Sequence, residues 1–257
     1  MINIEETFND LLNKAKEEDN SDQLCEFLKT EIPKISLKHF NYLRLYFEKA
    51  LELNPDDENI WQLYIDFVKK MNKNKELTLK ILTRSCKCCY FNILFWILLF
   101  REMEISQRPF EEIQTKIQEA YASAEDTNFK SEIWKYNIEL SCRNFDSTVE
   151  QLEQIRTLFN SALIEIEANG NKEYLQKIYS IWLEFEVYKV KDYTMFTQLI
   201  NKVVKINSSS ENWRMFINYE KYFGDINSIR KAYKRAVEYS KEDKEKFSES
   251  WISWEKM

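Results

Sequence analysis

Three cysteines crowd into "CKCCYF": Cys86, Cys88 and Cys89. Thiolates spaced this closely bind structural zinc when a fourth donor completes a tetrahedron. On one helix the three thiols point in divergent directions at 100° per residue. The single histidine, His39, is remote in sequence. The expectation is buried small thiols at a helix crossing and no metal. His39 has no serine or cysteine partner in a recognisable motif, so nucleophile, base and orienting group have no assignment. Neighbouring acids, Asp56 with Asp57 and Glu111 with Glu112, suit the first turn of a helix, where the dipole favours negative charge. The reading is therefore no catalytic residue, no cofactor-binding residue, no cofactor and no metal. Lys231, Lys234 and Arg235 form a local basic cluster, yet the chain carries a net charge of −6. A phosphate-binding domain needs a basic surface, so the cluster reads as a solvated helix face.

The elements that position these side chains follow from composition. In 257 residues there are two glycines and three prolines. Left-handed backbone is cheap only for glycine, so hairpins, Rossmann turns and phosphate-cradling loops have little to be built from. The chain is expected to be all-α. The cysteine count is five, an odd number, and no secretory signal precedes them; a reduced, intracellular setting is expected. "YFNILFWILLF", Tyr90 to Phe100, is too short to span a bilayer, which takes ~20 residues. It is expected to be a buried helix, and no membrane contact is expected.

Tryptophans recur at 61, 96, 134, 182, 213 and 251, at intervals of 35, 38, 48, 31 and 38 residues. Such spacing is that of two-helix repeat units. "NWRMFINYE" puts Trp213, Phe216, Ile217, Glu220 and Phe223 on one side of a helix, a packing stripe. Between the tryptophan helices lies a second recurring helix, seen in "LRLYFEKALEL", "QIRTLFNSALI" and "SIRKAYKRAVEY". Ile226, Ile229, Tyr233, Ala236 and Val237 share a face of the last. A small residue recurs late on that face at Ala50, Ser85, Ala120, Ala162 and Ala236, with Val203 in the remaining copy. Small residues allow close helix crossings. Gly224-Asp225 reads as a helix stop and cap, Pro55 as lying just past a helix end, and Pro109 as opening a helix. Glu220, on the packed side, needs a partner, and Arg230 is the candidate.

A tryptophan helix followed by an Arg/Lys-Ala helix resembles the HAT (half-a-TPR) repeat, over Leu43 to Met257. More narrowly, "YFEKALELNPDDENIWQLYIDF", "FWILLFREME" with Glu104, and "YEKYFGDINSIRKAYKRAV" are similar to the HAT domain of the U4/U6 snRNP recycling-factor family. So is the elongated unit after Trp134. Val68 and Ser141 depart from the motif acid, and no RNA-recognition motif appears. The resemblance implies a right-handed α-solenoid: an irregular N-terminal helical cap over 1–36, then about six HAT units over 37–257, the last incomplete. It implies a non-catalytic nuclear scaffold in pre-mRNA splicing that binds spliceosomal snRNP proteins. It also implies a homodimer through the C-terminal units, ubiquitin-specific protease partners, and RNA contact that is indirect or weak. Alternatives are a crooked-neck-like splicing factor, a cleavage-stimulation subunit or, from another class, a prenyltransferase-like α subunit, for which only "NPDDENIW" speaks. The chain ends on "SWISWEKM", a first helix without its second; either the natural chain continues or a partner covers it. Tyr222, Arg235, Tyr239, Trp251 and Trp254 lie off the packed stripes or on that last helix. They are the residues expected to bury a partner or dimer interface.

Overall fold

The computed structural model describes residues 4–18, 22–31, 40–71, 74–240 and 243–256. Fourteen helices run through them, and no strand occurs among the described residues. They are α1 (Ile4–Glu18), α2 (Asp22–Thr30), α3 (Phe40–Leu53), α4 (Glu58–Met71), α5 (Lys75–Cys88), α6 (Ile93–Ile105) and α7 (Phe110–Ser123). Then follow α8 (Thr127–Arg143), α9 (Val149–Ala168), α10 (Lys172–Glu184), α11 (Tyr193–Ile206), α12 (Ser210–Phe223), α13 (Ile226–Tyr239) and α14 (Lys244–Glu255). His39, and 1–3, 19–21 and 32–36 of the expected cap, lie outside the described residues. The rest of that cap is two helices, α1 and α2, which bury Phe8, Leu24 and Leu28.

The chain divides into two compact units, Met1–Ile133 and Trp134–Met257. Within each, helices pack as successive hairpins: α3 on α4, α4 on α5, α5 on α6 in the first; α9 on α10, α11 on α12, α12 on α13, α13 on α14 in the second. The tryptophan helices are α4, α6, α8, α10, α12 and α14. The small crossing residues Ala50, Ser85, Ala120, Ala162 and Ala236 are fully buried, and Val203 nearly so. The 48-residue tryptophan interval is taken up largely by the 20-residue α9.

Polar caps replace glycine as punctuation. Asn74, Asn92, Thr148, Asn171, Asp192, Ser209 and Asp225 each accept a backbone N–H of the helix they open. Such caps satisfy helix-end donors that would otherwise go unpaired. Pro109 sits immediately before α7, and Gly170 takes left-handed backbone after α9. Gln107, Ser147, Lys191 and Asp243 do the same without being glycine, so the scarcity of glycine did not exclude left-handed turns. Gly224 is not a left-handed stop: its backbone is extended. Its lack of a side chain serves a close approach, since a Cβ there would stand 2.7 Å from the Glu220 carbonyl oxygen.

Two further readings need correction. "YFNILFWILLF" is not uniformly buried. Tyr90 and Phe91 form a turn and are exposed, because α6 begins only at Ile93, and Leu94 in its first turn is exposed as well. Glu220 does not pair with Arg230. Arg230 sits in the first turns of α13 and reaches forward to Glu255 of α14, at 2.6 and 2.7 Å. Glu220 accepts the Tyr193 hydroxyl at 2.9 Å.

Candidate partner-binding groove

α11, α12 and α13 line an open groove of about 510 Å³ in the second unit. The floor comes from α12, whose stripe is as expected: Trp213, Phe216, Ile217 and Glu220 are buried. α13 turns Ile229, Ala232, Tyr233 and Ala236 inward. Ile226, expected on that face, is exposed because it stands at the outer end of the helix beside the Asp225 cap. Tyr193, Thr197 and Asn201 of α11 form one wall; Lys231, Lys234, Arg235, Glu238 and Tyr239 of α13 form the other.

Arg235 is the organised cation of this groove. Its guanidinium lies 5.5 Å from the Trp213 ring and 5.2 Å from the Phe216 ring. It donates to Asn201 Oδ1 at 2.7 Å. Arginine over aromatic faces gains cation–π attraction and loses little freedom on binding. The same register occurs in the first unit. Arg84, one residue before its small crossing residue, lies 5.3 Å from the Trp61 ring. It donates to both oxygens of Glu48, at 2.9 and 2.8 Å. Glu48 and Asn201 each stand two residues before the crossing residue of the preceding second helix, Ala50 and Val203. One motif thus joins successive second helices across a tryptophan, with a carboxylate acceptor in the first unit and an amide in the second. Burial works against the Glu48 charge, but the bonds from Arg84 and Tyr64 hold its carboxyl below the ordinary range.

Glu220, 3% exposed, is the buried acid of the floor. Burial pushes its carboxyl up, and the Tyr193 hydroxyl only partly offsets this. A carboxyl raised in the folded state favours the protonated form there. The stability it contributes is complete below the ordinary carboxylate value and is lost as pH rises through the raised one. Glu220→Gln keeps an acceptor for Tyr193 and removes the ionisation. Urea unfolding at pH 5 and pH 8 should show the variant gaining stability over the parent as pH rises. An equal parent-minus-variant difference at both values would show that Glu220 is not raised.

The remaining candidates fall in two places. Tyr222 and Tyr239 are each 63% exposed; Tyr222 also packs edge-on to Tyr188 at 6.1 Å. Trp251 and Trp254 of α14 are half-buried and both lie 6.0 Å from Tyr233, Trp251 in parallel stacking. Arg235 and Tyr239 share the groove; Tyr222, Trp251 and Trp254 do not line it. Sequence reasoning missed the tyrosine wall at Tyr193 and the amide at Asn201. The available signal was the register offset between Arg235 and the helix before it, which the Glu48–Arg84 pair repeats. Among the described residues no three metal-ligating side chains cluster. Cys86 and Cys89 are buried, with thiols pushed up to about 12 by burial; Cys88 is half-buried. No described helix is long and apolar enough to cross a membrane.

No protein-family model matches the chain. Curated relatives named "Spliceosome associated factor 3, U4/U6 recycling protein" do. The mouse protein (Mus musculus) is 22% identical over 83% of this chain, the zebrafish protein (Danio rerio) 21% over 84%, and the human protein (Homo sapiens) 23% over 83%. The chain spans about a quarter of the length of these relatives, 24% of each. Among solved structures, a human IFIT1 dimer with m7Gppp-AAAA aligns to 90% of this chain and 55% of its own, at 14% identity and a TM-score of 0.37. In sequence the chain is similar to the spliceosome-associated U4/U6 recycling proteins, and its stacked helical hairpins are consistent with the HAT repeat.

Proposed function

We propose that the chain is a non-catalytic protein–protein interaction scaffold of nuclear pre-mRNA splicing, acting in U4/U6 snRNP assembly or recycling. The observation that carries this is the similarity to U4/U6 recycling proteins across more than four-fifths of the chain. The helical hairpins support it, since such stacks expose long surfaces suited to protein partners. In this reading 37–257 is a single run of about six HAT units, the last incomplete, behind an N-terminal cap. Its partners are snRNP proteins, with ubiquitin-specific proteases as a further class. A tagged chain should capture U4/U6 snRNP proteins and snRNA from nuclear extract. Capture of polyadenylation factors in their place would reassign it to cleavage stimulation.

The same reading includes self-association through the C-terminal residues Tyr222, Arg235, Tyr239, Trp251 and Trp254. Large exposed tyrosines are favoured interface anchors. Light scattering should return about twice the 31.2 kDa chain mass. Tyr222→Glu with Tyr239→Glu should return the monomer mass with an unchanged helical spectrum, because both side chains are exposed. Trp254→Glu is the poorer test, since Trp254 packs on Tyr233. A dimer that survives the tyrosine changes would place the interface elsewhere.

A further inference from the structure

The two arginine registers differ in one respect with a chemical consequence. Arg84 is neutralised by the Glu48 carboxylate; among the described residues Arg235, held the same way over a tryptophan, hydrogen-bonds the Asn201 amide and has only the longer-range attraction of the Glu220 carboxyl. Its charge is therefore fixed in position without a carboxylate bonded directly to it. Two more cations stand beside it on α13. Lys231 is exposed, and Lys234 reaches Glu238 only at 4.0 Å, in solvent. The acid nearest the floor, Glu220, is turned to the Tyr193 hydroxyl. A groove of about 510 Å³ is within the size range of ordinary ligand sites. The surrounding chain is acidic, with a net charge of −6, so this cationic groove is a local exception.

We propose that the α11–α13 groove binds an acidic peptide segment of a partner protein, one carboxylate of which pairs with Arg235 as Glu48 pairs with Arg84. The rest of the groove suits a peptide better than a nucleic acid. Lys231 and Lys234 can take further carboxylates, while Glu238 and Asn201 can accept peptide N–H groups. A phosphodiester backbone offers no such donors. Arg–carboxylate pairing is bidentate and directional, so the stacked guanidinium sets the register of the segment. This deepens the scaffold reading and rests on it, giving one docking site its chemistry.

The test uses fluorescence anisotropy at low salt with a fluorescein-labelled octapeptide of alternating glutamate and aspartate. Its glutamine/asparagine counterpart and an eight-nucleotide oligouridylate are the comparisons. The unsubstituted chain should bind the acidic octapeptide saturably, and the amide peptide and the oligouridylate at least tenfold more weakly. Asn201→Glu installs the acid that the first unit already has. It should lock Arg235, leave the melting temperature no lower, and weaken the octapeptide at least tenfold. Lys231→Glu with Lys234→Glu alters two exposed side chains and should weaken it as much, which keeps the proposal testable if Asn201→Glu misfolds. Absence of saturable binding, binding indifferent to these changes, or tighter binding of the oligouridylate would each overturn the proposal. Capture of snRNP proteins from extract that persists in the Lys231/Lys234 variant would likewise remove the groove while leaving the scaffold reading intact. Loss of capture by the unsubstituted chain removes the scaffold reading itself.

Discussion

Arg156→Met should destabilise the protein by about 3–5 kcal/mol, the cost of leaving a buried charge without its partner. The melting temperature should then fall by on the order of 10 °C for a unit of this size. Glu186 is 0% exposed. Its two oxygens accept Arg156 Nε at 2.9 Å and Nη2 at 2.8 Å, and Oε1 also accepts the Trp182 indole N–H at 2.9 Å. Arg156 Nη2 is shared with Asp192, again at 2.8 Å. Asp192 caps α11, and its carboxyl is held below the ordinary range first by the Met195 backbone N–H and then by Arg156. Around this cluster α10 runs on as a π-helical turn, Phe185–Val190, which ends in left-handed backbone at Lys191. The widened turn carries Glu186 into the core, where it needs the guanidinium.

The control comes from the repeat itself. Arg230 occupies in α13 the place of Arg156 in α9. Tyr233 stacks on Trp251 as Phe159 stacks on Trp182. Glu255 follows Trp251 by four residues and accepts its indole N–H, as Glu186 does for Trp182. The geometry is the same, but Arg230 and Glu255 face solvent. Water replaces the lost partner of an exposed pair, so Arg230→Met should change stability little. Arg156→Met combined with Glu186→Gln should recover most of the loss, because glutamine keeps an acceptor for Trp182 and carries no charge. Urea unfolding of the three variants decides it. An Arg156→Met cost no larger than that of Arg230→Met would mean the buried carboxylate does not depend on its arginine.

How much of this was legible in the sequence is set by what repeats and what does not. The tryptophan series, the stripe through Trp213 and Glu220, and the small residues at Ala50 through Ala236 recur with helical period. They named the helices and their buried sides. The partner of Glu220 was misread because pairing was sought within one hairpin. Arg156 and Arg230 instead reach forward to the next tryptophan helix, a register visible only when two copies are superposed. The π-turn at Phe185–Val190 has no periodic signature. Four non-glycine residues in left-handed backbone show that capping side chains and packing can impose a turn that composition disfavours. The groove is half legible: the sequence shows Lys231, Lys234 and Arg235 as a cluster, with the signature of a solvated face. What makes Arg235 different is its seat on Trp213 and Phe216, contributed by another helix.

Trp213 is where the core and the groove meet, and Trp213→Ala should affect both. The side chain is 2% exposed, so truncation leaves a large cavity and should cost about 3–5 kcal/mol. It also removes one of the two rings under Arg235. A third link runs through hydrogen bonds. The indole Nε1 donates to Ser208 Oγ at 2.9 Å, and Ser208 Oγ donates to the Tyr239 carbonyl at 2.6 Å. Tyr239 is the last residue of α13 and stands on the groove rim, so the indole ties that rim to the floor. Trp213→Phe separates the contributions: it keeps an aromatic face for the guanidinium and loses the bond to Ser208. Denaturation should place Trp213→Phe between the parent and Trp213→Ala. The affinity for the acidic octapeptide should fall further in Trp213→Ala than in Trp213→Phe, measured where both variants remain folded. If both lose stability but bind the octapeptide as the parent does, Arg235 does not need its aromatic seat, and the groove is not organised by the repeat that builds it.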